Sequence, residues 1–174
     1  MPEYTSLIAR HRDALNSLHG DVQVTFRTKT HSAKHEKDWK DACRAFQEFE
    51  SEVDRILRTV NVQTICANEK IREFVFDFLS VDPIYFRSGY EKERLLRLLK
   101  PVKLTEFEKQ TLRQIILRRI RTGALREFRK FCQMIPRIQT EDFLNDLRDA
   151  GHSGDQHVKR RARFALTYAN VRAD

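Results

Sequence analysis

Glycine and proline are scarce, with 5 and 4 in 174 residues, too few to turn the many corners of a β-sandwich or barrel. Cysteine is scarcer still. Cys43, Cys66 and Cys132 are too scattered for a disulfide framework, and Cys43 and Cys132 fall among apolar residues at helical spacing, as reduced core thiols do. No stretch approaches the roughly 18 consecutive apolar residues of a membrane span. The opening Met-Pro-Glu-Tyr has no cationic run leading into an apolar one. These features predict a cytoplasmic protein with no membrane partner. Motifs of catalysis are missing too: there is no glycine-rich phosphate loop, no Gly-x-Ser-x-Gly elbow and no Cys-x-x-Cys pair. His31 and His35 stand four apart, but no glutamate completes the zincin pattern and His31 precedes its helix. Neither a metal nor any other cofactor is expected.

What the chain does have is helical periodicity, and the expected fold class is all-α. Leu7, Ile8, His11, Leu15 and Leu18 share one face of a first helix over 3–19, with Gly20 as its stop. Residues 21–32, β-branched and briefly alternating, could form a short strand but, with no obvious partner strand, read as an ordered loop. Trp39, Ala42, Cys43, Phe46, Phe49, Val53, Ile56, Leu57 and Val60 track one stripe from Ala33 to Val60. A third long helix runs from Ile65 to Leu79 and ends at Asp82-Pro83, since the residue before proline is biased out of the helical region.

Ser88-Gly-Tyr-Glu91 and Thr105-Glu-Phe-Glu108 have the form of capping boxes, opening helices over Lys92–Lys100 and 106–122, the latter ended by Gly123. Ala124–Ile135 reads as another helix with Leu125, Phe128, Phe131, Cys132 and Ile135 inward. Thr140 starts the next, and Ser153 or Asp155 caps a last one through Ala169. That makes about eight helices joined by short corners. They are expected to form one domain, with N-terminal helices over 1–82 as a bundle or cap and a basic helical-repeat half over 83–174.

The repeat is visible as a fixed offset of 35 residues: Pro101 and Pro136, Thr105 and Thr140, Glu106 and Glu141, Leu112 and Leu147, Arg113 and Arg148. The final pair, from Phe143 to Leu166, with Val158, Ala162, Ala165 and Leu166 in its second helix, resembles a HEAT-like repeat. The resemblance implies a stack of helical pairs and a binding surface, with no reaction attached.

Charge is unevenly spread. Residues 1–90 carry 13 Lys and Arg against 14 Asp and Glu, a balance of −1, while residues 91–174 carry 20 against 11, a balance of +9. Such asymmetry predicts an anionic partner for the second half, either nucleic acid or an acidic protein. The candidate contacts are Arg118, Arg121, Arg126, Arg129, Lys130, Lys159, Arg160 and Arg163, which would line a phosphate backbone if successive helices stack in register. Phe164 and Tyr168, one turn apart and flanked by arginine, pack against the preceding helix or cap the stack, or else suit base stacking or a protein contact. Arg119 differs in lying inside an apolar stripe, where it would be paired with a carboxylate or hold a buried anion. One catalytic alternative remains. Arg12 to His19 resembles the Arg-polar-x-His signature of HEPN-type ribonucleases, and the resemblance implies acid–base transfer by His19 with Arg12 steadying phosphate.

Overall fold

The computed structural model describes residues 4–123 and 126–169, and among them are eleven helices and no strand. Gly20 is not a stop. Helix α1 (Thr5–Thr28) runs through it and through most of the β-branched stretch beyond, so residues 21–28 are helix rather than loop. A glycine or a β-branched residue costs a helix about 1 kcal/mol or less, and packing outweighs that here. The second half of α1 lies along α2 (Ala33–Glu48), bringing Phe26 beside Trp39 with ring centroids 6.1 Å apart. The Lys29 ammonium sits 3.9 Å from the Phe26 centroid and 4.6 Å from that of Trp39, a cation–π contact with both rings.

The single helix expected from Ala33 to Val60 is two. The chain breaks after Glu48, and α3 (Glu52–Thr59) opens on a capping box in which Ser51 Oγ accepts from Asp54 N and the Asp54 carboxylate accepts from Ser51 N. The helix expected over Ile65–Leu79 divides likewise at Asn68, between α4 (Val62–Ala67) and α5 (Glu69–Val81). The Asn68 backbone N–H closes α4 on Thr64 O while its side chain caps α5 through Ile71 N. The apolar stripe continues across both breaks but is only half-buried before the first, at Trp39, Cys43, Phe46 and Phe49, and becomes core after it, where Val53, Leu57, Ile65, Phe74 and Phe78 are buried.

After α5 comes the expected Asp82-Pro83 corner, with Asp82 in the left-handed region at φ 54°. Helix α6 (Ser88–Leu99) follows, but without the predicted capping box. Arg87 holds the cap position at φ 77°, Ser88 Oγ accepts from Tyr85 N, and the Glu91 carboxylate turns instead to the Tyr85 hydroxyl. The Thr105 box does form, opening α7 (Glu106–Thr122), which ends at Gly123 with φ +134°. Ala124 and Leu125 lie outside the described residues. The rest of the expected 124–135 helix splits into α8 (Phe128–Cys132) and α9 (Ile135–Ile138), with Pro136 in the first turn of α9. Phe128, Phe131, Cys132 and Ile135 are inward, as the stripe implied. Thr140 caps α10 (Glu141–Gly151), and α11 (Gln156–Ala169) packs along it, its first amides donating to Asp155.

One buried apolar cluster extends from Ile8 on α1 to Ala165 on α11. The 35-residue offset marks two like helix starts: Thr105 and Thr140 both cap, and Leu112 and Leu147 are both fully buried. Arg113 and Arg148 each pair with a glutamate seven residues back, at 2.5 and 2.8 Å. The helices so opened differ in length, 17 against 11 residues. No helix among the described residues is long and apolar enough to cross a membrane.

Candidate nucleic-acid interface

Part of the basic excess in the second half is structural. Arg94 donates to Leu57 O and Val60 O at the end of α3, Arg137 to Leu99 O and Val102 O at the end of α6, and Arg161 to Ile120 O at the end of α7. Arg113 reaches Ile138 O at the end of α9 and Arg118 reaches Ser80 O at the end of α5, both at 2.7 Å. In every case a guanidinium from one helix satisfies the free carbonyls, and meets the negative dipole end, of another. Of the predicted contacts, Arg118 is thus largely committed, and it also stands 3.9 Å from Asp82.

Two further cations are buried. Beneath the α5–α6 corner, Lys92 Nζ lies 2.8 Å from Asp82 Oδ1 and 2.6 Å from Glu127 Oε1, and donates to Pro83 O at 3.1 Å. Arg119 donates to Asp82 and, at 3.2 Å, to Glu127 Oε1. Two cations and two carboxylates therefore satisfy one another, the arrangement that buried charges require. Arg119 is the carboxylate-paired residue of the two possibilities its position allowed. Asp82 holds its left-handed backbone, which costs a non-glycine residue about 1–2 kcal/mol, against this pair of cations. Gly89 completes the fit: a Cβ there would lie 3.1 Å from Glu127 Oε2, so the bare backbone lets the 126–128 segment sit against the start of α6.

Burying Glu127 turns its neighbours in opposite directions. Phe128 goes inward and Arg126 outward, where its guanidinium stacks 3.8 Å from the Tyr90 ring centroid and its Nε lies 3.3 Å from Glu93. One turn on, Arg129 donates to the Tyr168 hydroxyl at 3.2 Å. Tyr168 meets Phe164 edge to face at 5.5 Å, and Phe164 stands 6.2 Å from Phe128. At the other end Arg87 covers the Phe86 ring at 5.4 Å. The result is a surface of alternating guanidinium and aromatic groups across the start of α6, α8 and the end of α11. Tyr90 and Phe164 keep 57% and 40% of their area exposed, enough to offer ring faces to a ligand, whereas Phe86 is stacked on His19 and covered by Arg87.

The structure brings Arg126 and Arg129 onto this surface and Arg160 beside it, one turn before Phe164 on α11. Arg121, Lys130, Lys159, Arg160 and Arg163 make no side-chain hydrogen bond or ion pair with the described residues. Arg163 packs near Gly151 of α10, 4.0 Å from the place of a Cβ there. It and Lys159 one turn earlier therefore face the α10 side rather than α8. The residues that periodicity missed are Phe86, Arg87 and Tyr90, which lie in a corner and a helix start where no repeat pattern applies; the sequence signal was the aromatic content of a stretch read only for its caps.

The alternative catalytic pair sits on α1, where His19 borders the candidate surface at Phe86. Arg12 is held by Asp13 at 2.8 Å, and the His19 ring lies against Phe46 and Phe86, with centroids 5.7 and 5.5 Å away. His11 is buried, with Nδ1 2.8 Å from Ser51 Oγ and 3.6 Å from Asp54, while Nε2 has no partner. Burial lowers its pKa and Asp54 partly opposes this. Burial also raises the pKa of Glu91, and Tyr85 bonded to it is pushed up for the same reason. Among the described residues no group of three His, Cys, Asp or Glu side chains is placed to hold a metal. No family model matches the chain, and comparison with curated proteins and with solved structures finds no match to either.

Proposed function

We propose that this chain is a non-catalytic nucleic-acid-binding protein whose ligand is single-stranded. The observation that carries the reading is the alternation of Arg126 and Arg129 with the exposed rings of Tyr90 and Phe164, with Arg87 at the start of α6 as a third cation. Guanidinium groups neutralise phosphates and release counterions, while ring faces stack on bases that a duplex would keep buried. The unpaired Arg121, Lys130 and Arg160 extend the positive field around that surface. In this reading the helix pairs of the second half stack in a HEAT-like manner, and the buried Lys92–Asp82–Arg119–Glu127 unit fixes the strip so that little ordering entropy is lost on binding.

The test is fluorescence anisotropy with labelled RNA and DNA oligonucleotides of about 16 nucleotides, single-stranded and duplex, at about 50 and 200 mM salt. Three phosphate contacts on a single strand predict about a twentyfold loss of affinity over that range. Arg126→Ala with Arg129→Ala should weaken binding and flatten the salt slope, whereas Tyr90→Ala with Phe164→Ala should weaken it at unchanged slope. No binding at either salt refutes the proposal and leaves the basic face to an acidic protein. RNA cut during the assay, and spared by His19→Ala, would replace it with the ribonuclease reading.

A further inference from the structure

The other end of α7 carries a surface of opposite character. A groove of about 980 Å³ opens between α4, α5 and the first turn of α7. Its floor includes Ile65 and Phe76, both buried, and its wall is Phe107, which is 80% exposed. Along α5 the rim carries Glu69, Glu73 and Asp77, spaced four residues apart and so on one face, about 6 Å of helix rise between neighbours. The one lining cation, Arg72, is consumed by Glu108, with one of its bonds 2.7 Å long, and by Lys103 O at 2.7 Å. Asp77 accepts from Tyr4 N at 3.2 Å and Glu108 is matched by Arg72, so Glu69 and Glu73 make the rim locally anionic, on a chain whose net charge is +8.

Like charges at four-residue spacing oppose the helix that carries them, and among the described residues Glu69 and Glu73 have no cationic partner. A ligand bearing cations at the same spacing would relieve this. The spacing is that of successive turns of another helix, and amphipathic helices are received by laying their apolar face into an apolar groove. We infer that this groove docks a cationic amphipathic helix of a partner protein, with Lys or Arg opposite Glu69 and Glu73 and apolar side chains against Phe76 and Phe107. The inference stands apart from the nucleic-acid reading. The 17 residues of α7 separate the groove from the guanidinium strip by about 25 Å, so both surfaces can be occupied together.

The probe is a synthetic peptide of about 16 residues, helical in design, with lysine at every fourth position and leucine on the adjacent stripe, beside a scrambled peptide of the same composition. Cys66 lines the groove and is exposed, so in a Cys43→Ser background its alkylation by a maleimide reports occupancy. The patterned peptide should bind, slow Cys66 alkylation and lose about tenfold in affinity on Phe107→Ala, the loss typical of an apolar anchor. Glu69→Gln with Glu73→Gln should weaken it comparably, and both changes lie on exposed positions that leave the fold intact. Equal binding of the scrambled peptide, undiminished alkylation, or variants of unchanged affinity would overturn the inference. So would self-association in sedimentation that Phe107→Ala abolishes, since the occupant would then be a second copy of the chain.

Discussion

Replacing Glu127 by alanine would break the buried charge unit at its most enclosed carboxylate. The Glu127 side chain lies 2.6 Å from Lys92 and 3.2 Å from Arg119, and its loss leaves two cations sharing Asp82 alone. Lys92 is fully buried, so its charge cannot reach water without movement of the corner. Removing one partner of such a pair costs about 3–5 kcal/mol, most of it the stranded charge. For a chain of this size each kcal/mol shifts Tm by about 2–4 °C, so a fall of roughly 6–20 °C is expected in a thermal melt followed by helical circular dichroism. Pairing the removal with Lys92→Met, as Lys92→Met with Glu127→Leu, should restore most of the loss, because an apolar pair of similar volume carries no stranded charge. The same single variant has a second readout of opposite sign. Deleting a carboxylate makes the protein more positive, so a purely electrostatic strip would bind RNA more tightly, whereas a strip positioned by Glu127 would bind it less. A Tm within about 2 °C of the parent, or tighter RNA binding, would refute the argument that this unit holds the corner and the strip.

Phe128→Ala should destabilise by about 3–5 kcal/mol in urea unfolding, because its ring is only 5% exposed; a change near zero would contradict that packing. His11 has a lowered pKa in the folded chain, so the unfolded state takes up its proton first, and the stabilisation it brings is present above about pH 6.5 and lost as pH falls through that region. Melts from pH 8 to 5 should therefore show a steeper loss for the parent than for His11→Gln, and parallel profiles would count against a buried neutral imidazole. Among the thiols, burial pushes Cys132 up to about 12, while Cys66 is exposed. Mass spectrometry after brief maleimide treatment of the native protein should find Cys66 modified and Cys132 untouched until denaturant is added.

Local rules carried much of the fold. The Thr105 box, the Thr140 start and the inward set Phe128, Phe131, Cys132 and Ile135 were legible because caps and helical stripes involve residues within a few positions of each other. The errors arose where tertiary packing overruled or reused local signals. Gly20 sits in a helix because α2 lies along it, and Glu91 leaves its box because the Tyr85 hydroxyl is nearer. The breaks at Ser51 and Asn68 were hidden by a stripe that continues across them, although Ser51 and Asn68 are themselves ordinary cap residues. The candidate interface was legible in its cations and opaque in its geometry. Nothing in the sequence pairs Lys92 with Glu127, 35 positions away, or predicts that Arg94, Arg113 and Arg137 are spent on carbonyls. The charge asymmetry thus overstated how many charges the second half has free.

The arginine-to-carbonyl ties have a consequence for how this molecule responds to acid. Such a tie does not depend on a proton: a guanidinium is a permanent cation in proteins, and a peptide carbonyl takes no proton in their working range. Acidification protonates Glu108 of the Arg72–Glu108 pair and charges His11, but it leaves Arg94, Arg113, Arg137 and Arg161 gripping the same helix ends as at neutral pH. The chain therefore carries two sets of tertiary fastenings with different chemical weaknesses, and its acid form should keep helices clasped end to side after the bridge from α5 to α7 has gone.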